Sequence, residues 1–261
     1  MKFGTGQSTP RVEDARLLTG QGRYTDDMAR PGMLYGATLR SPHAHAAIKS
    51  IDVSAALDVP GVVAVYTHGD IADYGPIPCL VPLSGEVKTP RTLLAADRVR
   101  FVGDGVAFVV ADSREAARAG TEACLVEYDE LPAVASIAAA IAPDAPLIWP
   151  QAGSNSLFDW QVGNPDGVAD AMARAAHVTR LRIIQNRVAP TSMEVRAALG
   201  EYAADTGFTL TTGSQGVASM RRELAKVILK VPEDQVRVVT HDVGGGFGMK
   251  SFLYPEYALV L

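Results

Sequence analysis

Four of five consecutive positions, Gly244, Gly245, Gly246 and Gly248, are glycine, and they directly follow the β-branched run 235–242 (QVRVVTHD). Glycine weakens the interior of a helix or a strand, so such a run ends the strand and forces a loop. Its backbone amides then lie bare, with no Cβ between them and a neighbouring group. Because a bend at a sheet edge needs only one or two glycines, this density points to a loop that something approaches closely.

Upstream of that strand, Val217, Met220, Leu224, Val227, Ile228 and Val231 recur at helical spacing, with Arg221, Arg222, Glu223, Lys226 and Lys230 on the opposite face. The cationic side reads as a solvated face, and Pro232 stops the helix. Residues 199–212 read as a hairpin turning at Asp205-Thr206-Gly207. Residues 168–176 read as a helix and 178–186 (VTRLRIIQN) as a strand.

In the first half, Tyr35–Arg40, 46–53, Val62–Thr67, 106–111 and 125–128 are short runs rich in Val, Ile and Tyr, and they read as strands. A helix over 112–123 joins the last two, with Asp112 and Glu115 spaced as a capping box. Ser54–Leu57 reads as a short helix, stopped by Pro60-Gly61, and 74–90 as a long irregular loop. Residues 131–160 shift to Ala, Pro, Gly, Ser and Asn with four prolines, which breaks any regular ladder. The expected architecture is therefore α+β, with one unit over 1–130, a linker over 131–160 and a second unit over 161–261.

Twenty-four basic and 29 acidic residues give a net charge of −5 with no block of either sign, which argues against a nucleic-acid or anionic-membrane partner. No apolar stretch approaches the ~20 residues of a spanning helix, and the first residues carry no secretory leader. Cys79 and Cys124, without a CxxC, exclude a disulfide scaffold, a Cys-ligated zinc module or an iron–sulfur cluster within this chain. The expectation is a soluble, cytoplasmic protein with two reduced thiols, a single bridge between them being the alternative.

From the residues alone, the glycine-rich loop keeps three readings: a structural bend, a phosphate loop and a cradle for another group. Gly244, Lys250 and Ser251 match G-x-x-x-x-G-K-[ST] except that Met249 stands where the last glycine belongs. Pro255 also interrupts the helix that should follow. Elsewhere, His43 and His45 sit two apart on an expected strand and share a face, but no third metal ligand accompanies them. Glu194 is expected to pair with Arg187 or Arg196.

Taken in order, 11–20 (RVEDARLLTG), 22–26 (GRYTD), 40–46 (RSPHAHA), 102–111 (VGDGVAFVVA) and 126–134 (VEYDELPAV) resemble the N-terminal α/β-hammerhead domain of the xanthine dehydrogenase/aldehyde oxidase/aerobic carbon-monoxide dehydrogenase large subunits. The stretches 185–198 (QNRVAPTSMEVRAA), 212–215 (TGSQ) and 244–250 (GGGFGMK) resemble the start of their molybdenum-cofactor-binding domain. The resemblance covers nearly the whole chain.

The resemblance implies a molybdopterin cofactor, in its cytosine dinucleotide form, with no direct metal ligand from this chain. Gln215 stands where the family's glutamine donates its side-chain amide to the apical oxo group. Gly245, Gly246, Phe247 and Gly248 match the loop beside the cofactor, with Phe247 as a wall on the substrate side. The family hydroxylates an electron-poor carbon with water-derived oxygen, and its catalytic glutamate lies downstream of this loop, beyond the present chain. Electrons pass to a small [2Fe-2S] subunit and a medium FAD-binding subunit, in a dimer of heterotrimers.

Purine-oxidising members carry a glutamate where Ser251 stands, which disfavours xanthine and leaves aldehydes, N-heterocycles and carbon monoxide. Val195 replaces the proline usual after Met193-Glu194. The chain ends in an apolar helical pattern without a stop signal and is expected to be a fragment or split piece, inactive alone. A second expectation is a relic or partner-binding domain that takes no cofactor, and a third, from the loop pattern, a nucleotide binder.

Overall fold

The computed structural model describes residues 6, 8, 10–79, 89–186 and 188–261. In chain order the elements are α1 (Asp14–Leu18), β1 (Tyr35–Arg40), β2 (Ala46–Asp52), α2 (Ser54–Leu57), β3 (Val62–Thr67), β4 (Arg98–Val99), β5 (Gly105–Ala111), α3 (Arg114–Ala123) and β6 (Leu125–Glu130). They continue with α4 (Ile137–Ala140), α5 (Pro165–Arg174), β7 (Ala198–Ala203), β8 (Gly207–Thr212), α6 (Val217–Glu223), β9 (Val236–Val239) and α7 (Pro255–Leu259). Of the loop read at 74–90, residues 80–88 lie outside the described residues.

The first half forms two three-stranded antiparallel sheets, in the orders β1-β5-β3 and β4-β2-β6. β5 is central in its sheet, and Val106, Ala107, Phe108, Val109 and Ala111 are buried. A strand covered on both faces reads as a continuous apolar run, which is why GVAFVVA shows no alternation. α3 packs on it through Ala116, Ala117 and Gly120, and a Cβ on Gly120 would lie 2.7 Å from Val109 Cγ1. The cap of α3 differs from expectation. Ser113 is the N-cap, its hydroxyl accepting from Ala116 N at 3.2 Å, because Asp112 is still held in the sheet by its amide bond to Gly61 O.

In the second half, β7 and β8 form the expected hairpin, and β9 joins β8 in parallel after α6. The backbone of α6 passes into a π-helical stretch over Leu224–Leu229 and stops at Lys230, which sits in the left-handed region at φ 57. Met220, Leu224, Ala225, Ile228 and Leu229 pack with Leu210, Val236, Leu253 and Tyr257. Leu93, with Ile71 and Ile77, brings the first half into that same cluster.

The strand expected at 178–186 does not form: these residues take no regular structure, and Leu181, Ile183 and Ile184 are exposed. A strand needs a neighbouring ladder for its amides and carbonyls, and none of the three sheets supplies one. The pair His43 and His45 is likewise not on a strand but in the bend between β1 and β2. His43 Nδ1 lies 3.3 Å from Glu130, and its ring packs 4.7 Å from Tyr128. His45 is buried, with Nδ1 2.8 Å from Pro132 O. Among the described residues no cluster of His, Cys, Asp and Glu could hold a metal ion, and no helix is long and apolar enough to cross a membrane.

Candidate functional site

Two segments far apart in sequence meet because β8 and β9 are parallel neighbours. Their carboxyl ends lie side by side, the place where sheets of this kind open a crevice for ligands. The chain leaving β8 runs through Thr212, Gly213 and Ser214, all buried, to Gln215. The chain leaving β9 runs through Asp242 into the glycine-rich loop. Ser214 N donates to Thr240 Oγ1 at 3.1 Å, and Gln215 N donates to Lys250 O at 3.0 Å, so the two loops are bonded to each other.

Gln215 closes on the loop with its side chain. Gly248 N donates to Gln215 Oε1 at 2.9 Å, and a Cβ placed on Gly246 would lie 2.5 Å from Gln215 Cδ. Glycine at 246 is therefore a condition for this approach. A backbone N–H can only donate, so the carboxamide must present its oxygen to Gly248, leaving the Nε2 hydrogens to donate elsewhere. Among the described residues they have no partner, and the side chain is exposed.

The loop's own backbone is unusual. Gly245 and Gly248 adopt φ 96 and φ 84, left-handed conformations that favour glycine. Phe247 sits at φ 50, where a non-glycine residue is strained, and its side chain is 72 % exposed. The ring folds over Gly245, where a Cβ would come within 2.8 Å of Phe247 Cε2. A strained, exposed aromatic held over bare backbone is the kind of local cost that persists at binding sites.

Both ends of the loop are anchored. At the entry, Asp242 takes two bonds of 2.6 Å from the Arg16 guanidinium and one of 2.7 Å from Arg23 N. The bonds from Arg16 and then from Arg23 hold the Asp242 carboxyl well below the usual carboxylate range. At the exit stands a buried ion pair. Lys250 Nζ lies 2.6 Å from Glu194 Oε2, with Lys250 at 0 % exposure, and the same oxygen accepts from Gly244 N at 2.8 Å.

This pair corrects two expectations. Glu194 does not pair with Arg196, whose guanidinium lies 3.5 Å over the Tyr254 ring, and Arg187 is outside the described residues. The lysine that would reach phosphates in a nucleotide loop is turned inward, and residues 249–251 make a single 3-10 turn instead of opening a helix. The geometry does not fit a P-loop.

Glu194 is the residue of this cluster that sequence reasoning gave another partner. Its partner is 56 positions away, beyond any local pattern. Arg221 and Lys226 do face water as expected, both bonded to Glu233.

The family model for the aldehyde oxidase and xanthine dehydrogenase a/b hammerhead domain matches residues 19–132, and that for the molybdopterin cofactor-binding domain matches 148–261. The chain is 34 % identical to the carbon monoxide dehydrogenase large chain of Afipia carboxidovorans, over 97 % of this chain and 32 % of that one. It is 35 % identical to the nicotine 6-hydroxylase large subunit of Paenarthrobacter nicotinovorans, over 98 % and 31 %.

Among solved structures, quinoline 2-oxidoreductase from Pseudomonas putida 86 superposes with a TM-score of 0.84 at 39 % identity, over 98 % of this chain and 32 % of that one. The CO dehydrogenase from Oligotropha carboxidovorans gives 0.90 at 33 %, over 98 % and 33 %. The chain thus spans about a third of the length of the relatives it matches. With a hammerhead match followed by a molybdopterin-domain match, this chain belongs to the aldehyde oxidase and xanthine dehydrogenase family of molybdenum hydroxylase large subunits.

Proposed function

We propose that this chain provides the oxo-facing side of a molybdopterin cradle in a molybdenum hydroxylase, with the rest of the site supplied by polypeptide outside these 261 residues. The observation that carries this reading is the Gln215 carboxamide, whose oxygen is engaged by Gly248 N while its two Nε2 hydrogens stay available. A neutral donor suits an oxo ligand whose charge must be tolerated in more than one metal oxidation state. Gly248, where a Cβ would meet nothing within 4 Å, would let the cofactor approach bare backbone, Gly245 and Gly246 make room for the Phe247 ring and the Gln215 carboxamide, and the exposed Phe247 ring would wall the substrate side.

When bound, the cofactor supplies the oxygen transfer and accepts two electrons. The chain's own residues bind and orient. Gln215 holds a hydrogen bond at a fixed spot, the glycines exclude side chains from the cradle, and Phe247 keeps water from one side of it. The base that removes a proton is a glutamate outside this chain.

The cofactor form is the cytosine dinucleotide, with [2Fe-2S] and FAD on small and medium partner subunits in a cytoplasmic dimer of heterotrimers. The substrate class is an aldehyde, an aromatic N-heterocycle or carbon monoxide, since Ser251 offers no carboxylate to orient a purine. By itself the chain is inactive.

The test is Gln215→Ala in the complete assembly. Turnover falls about 10²-fold or more, as for loss of one preorganised donor, with FAD and cluster content unchanged. Unchanged turnover would remove Gln215 from this role.

A further inference from the structure

We propose that Glu194, acting through Lys250, is the positioning residue that holds the glycine-rich loop against Gln215 and thereby aims the Gln215 carboxamide. The inference rests on the reading of Gln215 as the donor to the bound group, and it deepens that reading by naming what sets the donor's direction.

The connections form one closed path. Glu194 and Gly244 are bonded in both directions, Gly244 N to Glu194 Oε2 at 2.8 Å and Glu194 N to Gly244 O at 3.2 Å. Their approach is close, since a Cβ on Gly244 would lie 2.5 Å from Glu194 Cβ. The same Oε2 takes Lys250 Nζ, so one carboxylate oxygen ties together both ends of the loop. From Lys250 the path continues through its carbonyl to Gln215 N at 3.0 Å, and from Gln215 Oε1 back to Gly248 N at 2.9 Å. Ser192 fixes the carboxylate's own backbone, its hydroxyl donating to Glu194 O at 2.6 Å.

Stability alone is a poor account of this pair. A buried ion pair replaced by well-packed apolar residues is often neutral or more stable, so two charges here at 1 % and 11 % side-chain exposure need another reason. Glu194 Oε1 is also buried and has no hydrogen-bond partner among the described residues, so within them the carboxylate is committed to the loop through Oε2. Fixing a loop geometry is the role such pairs are best suited to.

The experiment is hydrogen exchange and side-chain amide detection by ¹H–¹⁵N NMR on the 261-residue chain, with no cofactor present. In the unsubstituted chain the amides of Gly244, Gly248 and Gln215 share one opening, with matching protection. Glu194→Gln and Lys250→Met each speed exchange at Gly248 and Gln215 at least about tenfold, as loss of a charge-assisted hydrogen bond implies, and displace the Gln215 Nε2 signals. Ala116 and Ala117 in α3 keep their protection.

A fall in melting temperature with the Gly248 and Gln215 signals in place overturns the proposal, because a merely structural pair would do that. Should a variant fail to fold, the unsubstituted chain still decides: Gly244 protected while Gly248 exchanges freely overturns it. Since molybdenum plays no part in the readout, this failure is separate from failure of the cofactor reading.

Discussion

At the scale of single residues, the site is built by exclusion. Gly246 has no side chain because Gln215 occupies the space where one would be, so Gly246→Ala forces the carboxamide aside. Because the carboxamide is the far end of an exposed, flexible side chain, the effect is expected on its position and not on stability: a displaced Gln215 Nε2 signal in ¹H–¹⁵N NMR, with a urea midpoint close to that of the parent. Nε2 signals unmoved by the substitution would mean that Gln215 does not rest there. Asp242 supplies a pH test. Its folded-state pKa lies below its unfolded value, so its contribution is present above the unfolded pKa and is lost as pH falls through the folded one. Unfolding followed below about pH 4 should therefore lose a component that is missing in Asp242→Asn. Parallel curves for the two proteins would contradict the anchoring role of Arg16. Gly244–Gly248 and Gln215 could be singled out in the sequence because glycine density and a family motif are local signals. The Glu194–Lys250 pair could not, since Arg196 offered an equally plausible charge much nearer in sequence.

Among the elements, those with a strong internal pattern form where their residues direct. The hairpin of β7 and β8 turns at Asp205-Thr206-Gly207, with Gly207 at φ 72. α3 begins one residue after Ser113 and not at Asp112, because the adjacent strand claims the Asp112 amide first. Ser113→Ala should accordingly cost about 1 kcal/mol and Asp112→Ala less through the cap, a contrast that thermal unfolding of the two variants measures. If Asp112→Ala alone weakened the helix start, the capping assignment would be wrong. The 178–186 segment shows what sequence pattern leaves undecided. A run rich in Val, Ile and Leu marks a chain fit to be a strand, but a strand also needs a partner for its amides and carbonyls, and this segment pairs with none of the three sheets. Its backbone amides are expected to exchange at nearly unhindered rates in this chain, and slow exchange there would show a ladder. The parallel pairing of β8 with β9, which creates the crevice, is also a long-range property that no local run announces.

Across the whole molecule, the two halves are joined around the site. Leu93 and its partly buried neighbours pack on the π-helical stretch, Gly75 N bonds Ile228 O at 2.8 Å, and Lys230 Nζ bonds Asp73 O at 2.6 Å. Arg16 and Arg23 reach from the N-terminal part to the entry of the glycine-rich loop, and Arg40 pairs with Glu256 of α7. The hammerhead half therefore braces the loop it does not itself contain. Exposed Leu181, Ile183, Ile184 and Val188 form an apolar run that the remaining large-subunit polypeptide is proposed to cover. If Gln215 and the bare amides beside Gly246 make one side of a molybdenum-cofactor cradle, as proposed, molybdenum stays with this chain. Elemental analysis for molybdenum tests it most directly, on the protein purified with its natural companions from cells that load a known molybdenum hydroxylase. Molybdenum in stoichiometric amount with the chain is the expected result; its absence, with the reference enzyme fully loaded, would mean that Gln215 and the glycine-rich loop hold no such cofactor.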